Sequence, residues 1–272
     1  NHYARQAKVI HIEIDPSEID KNVKAHVPLI GDAKQVLDAL LPLVEKNNHQ
    51  TWLDRFQELH KVEVEKIITP ELYPNTEGIR MGEVVRLITE ATQGEAIVVT
   101  DVGQHQMVTS RYYGFKKPHS SVTSGGLGTM GFALPAAMGA KVGQPDRPVV
   151  AIIGDGGFQM TLQELGTIFQ YDIPVKIVIL NNSFLGMVRQ WQQLFFDRRY
   201  SFTEMKNPDF AAIGKGFSIE SQRVEDRAKL TEAVTQMLAH EGAYLLEVIV
   251  EKEENVFPMI PSGASVSDIR ME

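Results

Sequence analysis

Hydrophobic and polar positions change period several times along this chain, and the sharpest changes fall between residues 149 and 182, VVAIIGDGGFQMTLQELGTIFQYDIPVKIVILNN. Residues 149–153 are an unbroken apolar, largely β-branched run, the pattern of a strand buried on both faces. Gly154-Asp155-Gly156-Gly157 follows at once and predicts a tight turn. Met160, Leu162, Leu165, Ile168 and Phe169 then fall on roughly one face of a helix, which Pro174 ends. A second β-branched run, 175–180, closes on Asn181-Asn182. Strand, turn, helix and strand make a βαβ unit, so a parallel sheet with helices on both faces is expected.

The same reading extends outward. Residues 7–14 alternate as a strand. Asp32 is placed to cap a helix over 33–46, with Pro42 inside it. Residues 51–68 form a charged amphipathic pattern, and 69–78, with Pro70 and Pro74, read as a loop. Further elements are expected as a helix at 81–92, a strand at 95–100 and helices at 207–215 and 224–240. A last buried strand is expected at 243–250. The segment before residue 50 is too short for a complete α/β domain. The expected organisation is a domain remnant at 1–50, a linker helix and loop at 51–78, and the main α/β domain at 79–272.

Candidate chemistry gathers where strands end. Glycines after a strand let backbone amides approach an anion. Asp155 inside that turn would repel a phosphate by about 1 kcal/mol at ~4 Å in water, unless a cation lies between them. Mg²⁺ suits the place, because it takes one or two protein oxygens together with phosphate and water. Asn182 ends the next strand, and parallel neighbours present their C-terminal ends on one edge, where α/β ligands bind. Ordinary turn chemistry is the alternative for each motif taken alone. Gly126, Gly128 and Gly131 also spell G-x-G-x-x-G, but a dinucleotide site needs a strand just before it. Residues 118–124 contain one β-branched aliphatic residue, Val122, and predict no strand, which argues against a nicotinamide site. The small residues 131–140 then read as a helix packed closely on the sheet.

Gly154-Asp155-Gly156, 24 residues and Asn181-Asn182 together resemble the diphosphate-binding motif of thiamine-diphosphate enzymes. The GQHQ run at 103–106, the NN-x-x-x-G-M-V-x-Q-W run from Asn181 to Trp191 and the tail NVFPMIPSG are similar to acetohydroxyacid (acetolactate) synthases. That resemblance implies Mg²⁺ held by Asp155, Asn182 and the carbonyl of Phe184. It implies thiamine diphosphate contacted by Gly103, Gln104, His105, Gly128, Met130, Gly154, Gly156, Gly157, Gly186 and Met187. Met130 would lie under the cofactor, and Gln104 and His105 would stand near the reacting centre as catalytic residues. Trp191 would line the substrate entrance and Ser262 would approach the channel.

Residues 10–22, IHIEIDPSEIDKN, resemble the end of the central domain that carries FAD in these enzymes, with Glu13 near the adenosine end where Asp is usual. The implied reaction decarboxylates pyruvate and joins its two-carbon unit to a second 2-ketoacid, giving acetolactate or acetohydroxybutyrate for branched-chain amino-acid synthesis. The implied partners are 2-ketoacids, a second copy in a homodimer or higher oligomer, and as a candidate a small regulatory subunit. The family's activating glutamate belongs to an N-terminal domain that nothing here resembles, so this chain is expected to be inactive alone. Another thiamine-diphosphate enzyme (pyruvate oxidase, glyoxylate carboligase or a decarboxylase), a nicotinamide oxidoreductase and a non-catalytic interface module remain alternative readings.

Composition narrows the classes. The net charge of −8 disfavours nucleic-acid or anionic-membrane surfaces. With no cysteine, disulfides, thiolate metal sites and cysteine nucleophiles are excluded. No apolar run reaches the ~18 residues of a membrane span. No signal peptide is seen at the start, and a cytoplasmic location is expected.

Overall fold

The computed structural model describes residues 6–272. Contacts divide the chain into two units, one holding Asn1–Lys66 with Phe257–Glu272, the other Ile67–Val256.

The first unit has a two-stranded parallel sheet, β1 (Ile10–Glu13) beside β2 (Val27–Ile30). Helix α1 (Ala33–Leu40) starts where the Asp32 carboxylate accepts from the Gln35 amide at 3.1 Å. It ends six residues short of the expected 46, because Pro42 cannot continue the α-helical ladder. Leu41–Leu43 turn as a single 3₁₀ turn instead. Helix α2 (Gln50–Glu63) passes into a five-residue π turn, Val64–Ile68.

The second unit begins with α3 (Thr69–Leu72), a one-turn helix where a loop was expected. Pro70 sits in its first turn, where a missing N–H is harmless. Then follow α4 (Met81–Thr92), β3 (Ile97–Thr100), α5 (Gln104–Tyr112), β4 (Ser121–Thr123) and α6 (Ala133–Gly143). Next come β5 (Val149–Gly154), α7 (Asp155–Thr161), α8 (Leu165–Gln170), β6 (Lys176–Asn181) and α9 (Gly186–Phe195). The unit closes with α10 (Phe210–Gly216), β7 (Glu220–Val224), α11 (Arg227–Ala239) and β8 (Tyr244–Ile249). All six strands are parallel, in the order β4-β3-β5-β6-β8-β7.

Strand alternation divides the core in two. Val98, Val150, Ile152, Val178, Leu246 and Val248 pack on α4 and α11 through Val84, Val85, Ile88, Leu230 and Val234. Val99, Ala151, Ile153, Ile177, Ile179 and Leu245 face α6, α7, α8 and α10 through Leu134, Phe158, Leu165, Ile168 and Phe210. Helices therefore cover both faces, as a parallel sheet requires.

Further expectations need correction. The strand β4 exists where residues 118–124 predicted none. It is an edge strand, paired only to β3 through Val98↔Ser121 and its neighbours, and an edge needs no continuous apolar run. The missing strand therefore no longer argues against a dinucleotide. The helix after β5 is broken by a 3₁₀ turn at Leu162–Glu164, which leaves Met160 and Phe169 exposed. No separate turn precedes it, because Asp155 is already its first residue. Residues 207–215 shorten to α10, since Asp209 caps that helix by accepting from the Ala212 amide at 2.8 Å. The stretch 224–240 yields strand end, turn and α11, and β7 was not foreseen because its exposed, polar face hides the alternation.

Candidate cofactor and metal site

The C-terminal ends of β3, β5 and β6 lie side by side, with Gly154 opposite Leu180 in register. Past them the chain bends into α5, α7 and α9. Gly103, Gln104, His105, Met130, Gly154, Asp155, Gly156, Gly157, Asn182, Phe184, Gly186 and Met187 come together around one pocket there. Gly128 does not line it and lies on the exposed part of its loop with φ +65°. Trp191 and Val188 line a neighbouring depression with Phe196 and Arg199. Ser262 is exposed and belongs to the first unit, as does Glu13. The Glu13 carboxylate accepts from the amides of Ile14 at 2.8 Å and Asp15 at 3.2 Å, closing the turn after β1.

Close packing sets which residues tolerate these positions. A Cβ on Gly186 would stand 2.1 Å from the Gln104 Oε1 and 2.8 Å from the Asn182 Nδ2. One on Gly157 would meet the Asp101 Oδ1 at 2.3 Å. Asp101 is fully buried at the end of β3, and its two oxygens accept from the amides of Gly131 at 3.0 Å and Ala133 at 2.9 Å. It thereby ties the glycine-rich loop and the start of α6 to the sheet edge. Gly131, at φ +82°, makes the turn into that helix.

The site's ionisable groups are buried. Asp155 is almost fully enclosed, and burial pushes its carboxyl up to about 6, against hydrogen bonds from the Asn207 side chain and the Gly156 and Ser183 backbone. Burial brings His105 down to about 4, opposed by the charge and backbone of Asp101, so its imidazole is neutral at neutral pH. The His105 Nε2 has no hydrogen-bond partner. The Gln104 amide nitrogen donates to the Gln190 Oε1 at 2.9 Å and to the Glu254 carbonyl at 2.7 Å, while its oxygen accepts from the Asn182 Nδ2 at 3.3 Å. Asn182 also accepts from the Phe184 amide at 3.1 Å.

Asn181, Asn207, Gln190, Arg189 and Glu247 were not singled out from the sequence. Arg189 is the largest fully buried side chain and, with Gln190, forms the inner face of α9. Val188 and Trp191 are half-exposed.

A buried carboxylate with an amide oxygen on the next strand is a hard-oxygen donor set, and it suits Mg²⁺. Among the described residues no group of three His, Cys, Asp or Glu could hold a metal, so such an ion would need ligand oxygens from outside these side chains. A diphosphate provides them. The unpartnered His105 Nε2 and the glycine-lined wall leave polar and steric room for the rest of a cofactor. The residues therefore fit thiamine diphosphate with Mg²⁺.

These features define a cofactor-binding α/β domain with its site on the carboxyl edge of a parallel sheet. The chain belongs to the thiamine pyrophosphate enzymes: the profile described as "Thiamine pyrophosphate enzyme, C-terminal TPP binding domain" matches residues 101–248. The profile of the central domain of the same enzymes matches residues 1–40. The chain is 42% identical over 271 residues to the acetolactate synthase isozyme 2 large subunit of Escherichia coli (strain K12), covering 99% of this chain and 48% of that protein. It is 41% identical over 263 residues to the acetolactate synthase large subunit of Lactococcus lactis subsp. lactis, covering 96% and 44%. It is 40% identical over 278 residues to the probable acetolactate synthase large subunit of Methanocaldococcus jannaschii, covering 98% and 46%. The chain thus spans about half the length of the curated relatives it matches. No helix among the described residues is long and apolar enough to cross a membrane.

Proposed function

We propose that the protein carrying this chain is an acetolactate synthase, which decarboxylates pyruvate and joins the remaining two-carbon unit to a second 2-ketoacid. The observation that carries this reading is the joint placement of Asp155, Asn182 and the neutral, unpartnered His105 around one pocket, in a chain whose relatives are named acetolactate synthases.

Bound thiamine diphosphate supplies the carbon nucleophile and the electron sink that loss of CO₂ from a 2-ketoacid requires. Asp155, Asn182 and the Phe184 carbonyl would hold Mg²⁺ against its diphosphate, with Gly154, Gly156 and Gly157 keeping the wall close. Met130 would lie beneath the cofactor and meet the aminopyrimidine, with Gly186 and Met187 completing the pocket. His105 Nε2 would hold or accept a proton near the reacting carbon. Gln104 would stand beside it, held by Gln190 and Glu254. The half-exposed Trp191 would border the ketoacid's entrance.

FAD would be held by the central domain of which residues 1–40 are part, with Glu13 near its adenosine end. The activating carboxylate would come from a segment beyond these 272 residues, in keeping with the chain's share of its relatives' length. That segment would belong to a second copy in a homodimer, located in the cytoplasm.

The test incubates the full-length protein with pyruvate, thiamine diphosphate, Mg²⁺ and FAD, and identifies the product. Acetolactate, lost in Asp155→Ala, is the expected result. Acetaldehyde or acetyl phosphate as the main product would replace this reading with a decarboxylase or an oxidase.

A further inference from the structure

Glu247 is a carboxylate with no exposed surface, in the middle of β8, and nothing in the proposed chemistry uses it. Its Oε1 accepts from the Asn181 Nδ2 at 2.7 Å, and its Oε2 has no partner. A carboxylate is expensive to bury without a purpose. The bond continues outward. The Asn181 Oδ1 accepts from the Ser183 amide at 3.0 Å and from the Asn207 Nδ2 at 2.9 Å. The same Asn207 nitrogen donates to the Asp155 Oδ2 at 2.6 Å. The Asn207 Oδ1 in turn accepts from the Gln159 Nε2 at 3.0 Å.

The polarity of this chain of bonds is forced. The Ser183 amide only donates, so the oxygen of Asn181 must face it. The nitrogen of Asn181 must then face an acceptor, and Glu247 is that acceptor. With the Asn181 oxygen fixed, Asn207 has to turn its nitrogen inward, and Gln159 holds it from the other side. Both hydrogens of that nitrogen are then committed, one to Asn181 and one to Asp155. The donor on Asp155 is thereby connected, through Asn181, to a carboxylate two strands away, since the sheet order places β6 between β5 and β8.

We propose that Glu247, acting through Asn181 and Asn207, is a positioning residue for the metal site: it anchors the amide of Asn181, whose oxygen holds the Asn207 nitrogen against one oxygen of Asp155 and leaves the other for a divalent cation. Outer partners of this kind orient the ligand and typically contribute 10- to 100-fold in metal affinity. The inference rests on the metal role proposed for Asp155.

The test measures Mn²⁺ binding by electron paramagnetic resonance, in the presence of thiamine diphosphate, for wild type and three variants. Asn207→Ala removes the donor at a partly exposed position. Glu247→Met removes the acceptor at similar volume, whereas Glu247→Gln keeps an oxygen that can accept from Asn181. Asn207→Ala and Glu247→Met are expected to weaken Mn²⁺ binding 10- to 100-fold. Glu247→Gln should stay within about threefold of wild type, a rescue that simple packing would not produce. Unchanged Mn²⁺ affinity in folded Asn207→Ala would overturn the relay, as would equal losses in Glu247→Met and Glu247→Gln. Absence of Mn²⁺ binding in wild type would instead remove the metal site itself, and with it the reading on which the relay rests.

Discussion

The imidazole of His105 lies so close to Gly154 that a Cβ there would come within 2.8 Å of its Cε1 and Nδ1. Gly154 has φ −79°, a conformation any residue adopts, so the neighbouring ring and not the backbone demands glycine. Gly154→Ala should displace His105 or strain the end of β5, costing about 1–3 kcal/mol as overpacking does. Urea unfolding of the variant against wild type measures it. A companion change, Gly143→Ala, where a Cβ meets nothing within 4 Å, should move the midpoint far less.

Asp155 ties stability to pH in a defined direction. Its folded value of about 6 lies above the ordinary 3.8, so the folded protein binds the extra proton between them. The stability associated with that proton is present below about pH 4 and is lost as pH rises through about 6. Without metal, Asp155→Asn should therefore be more stable than wild type above pH 6, by on the order of 1–3 kcal/mol. Wild-type Mg²⁺ affinity should fall as pH drops below 6, because protons compete for the carboxylate. Chemical unfolding in EDTA across pH 4–8, with a metal titration at each pH, checks both.

Glu254 and Glu71 face each other across Arg80, whose Nη1 stands 3.3 and 3.4 Å from them. Burial, reinforced by the charge of Glu71, holds the Glu254 carboxyl well above the usual carboxylate range. Folding therefore retains its proton, and this contribution is lost as pH rises above about 4.5 toward the raised value. Glu254→Gln, which cannot ionise, should gain stability relative to wild type as pH increases from 5 to 8. Parallel curves for the two proteins across that range would show that the carboxyl titrates normally.

Helix α9 turns charge inward. Arg189 has no exposed surface, and it donates to the Glu254 carbonyl at 2.5 Å and to the Asn255 Oδ1 at 2.9 Å. Arg189→Met should cost about 3 kcal/mol, given roughly 1.5–3 for each hydrogen bond to a charged group. At the adjacent, half-exposed position Val188→Ser should shift stability by no more than about 0.5 kcal/mol. Thermal unfolding of both variants makes the comparison.

That inversion shows where sequence reading stops. Val149–Gly154 and Lys176–Asn181 were legible because strands buried on both faces must be apolar throughout, and Asp155 and Asn182 stood out as polar residues at their ends. The edge strands β4 and β7 were not, since an edge tolerates polar residues. The buried side of α9 is polar, and Arg189 and Gln190 there donate to the Glu254 and Val256 carbonyls, main chain distant in sequence. Asn207 and Glu247 lie 52 and 92 positions from Asp155. Only the sheet order brings them to it, and no local motif marks either one.

The central claim, that Asp155 and Asn182 bind a diphosphate through a divalent cation, is tested most directly by melting the protein with thiamine diphosphate in Mg²⁺ and in EDTA, beside Asp155→Ala. Cofactor at about 100 times its dissociation constant should stabilise wild type by ~2.7 kcal/mol in Mg²⁺, and should do so neither in EDTA nor in the variant. Stabilisation of equal size in EDTA, or undiminished in Asp155→Ala, would contradict it.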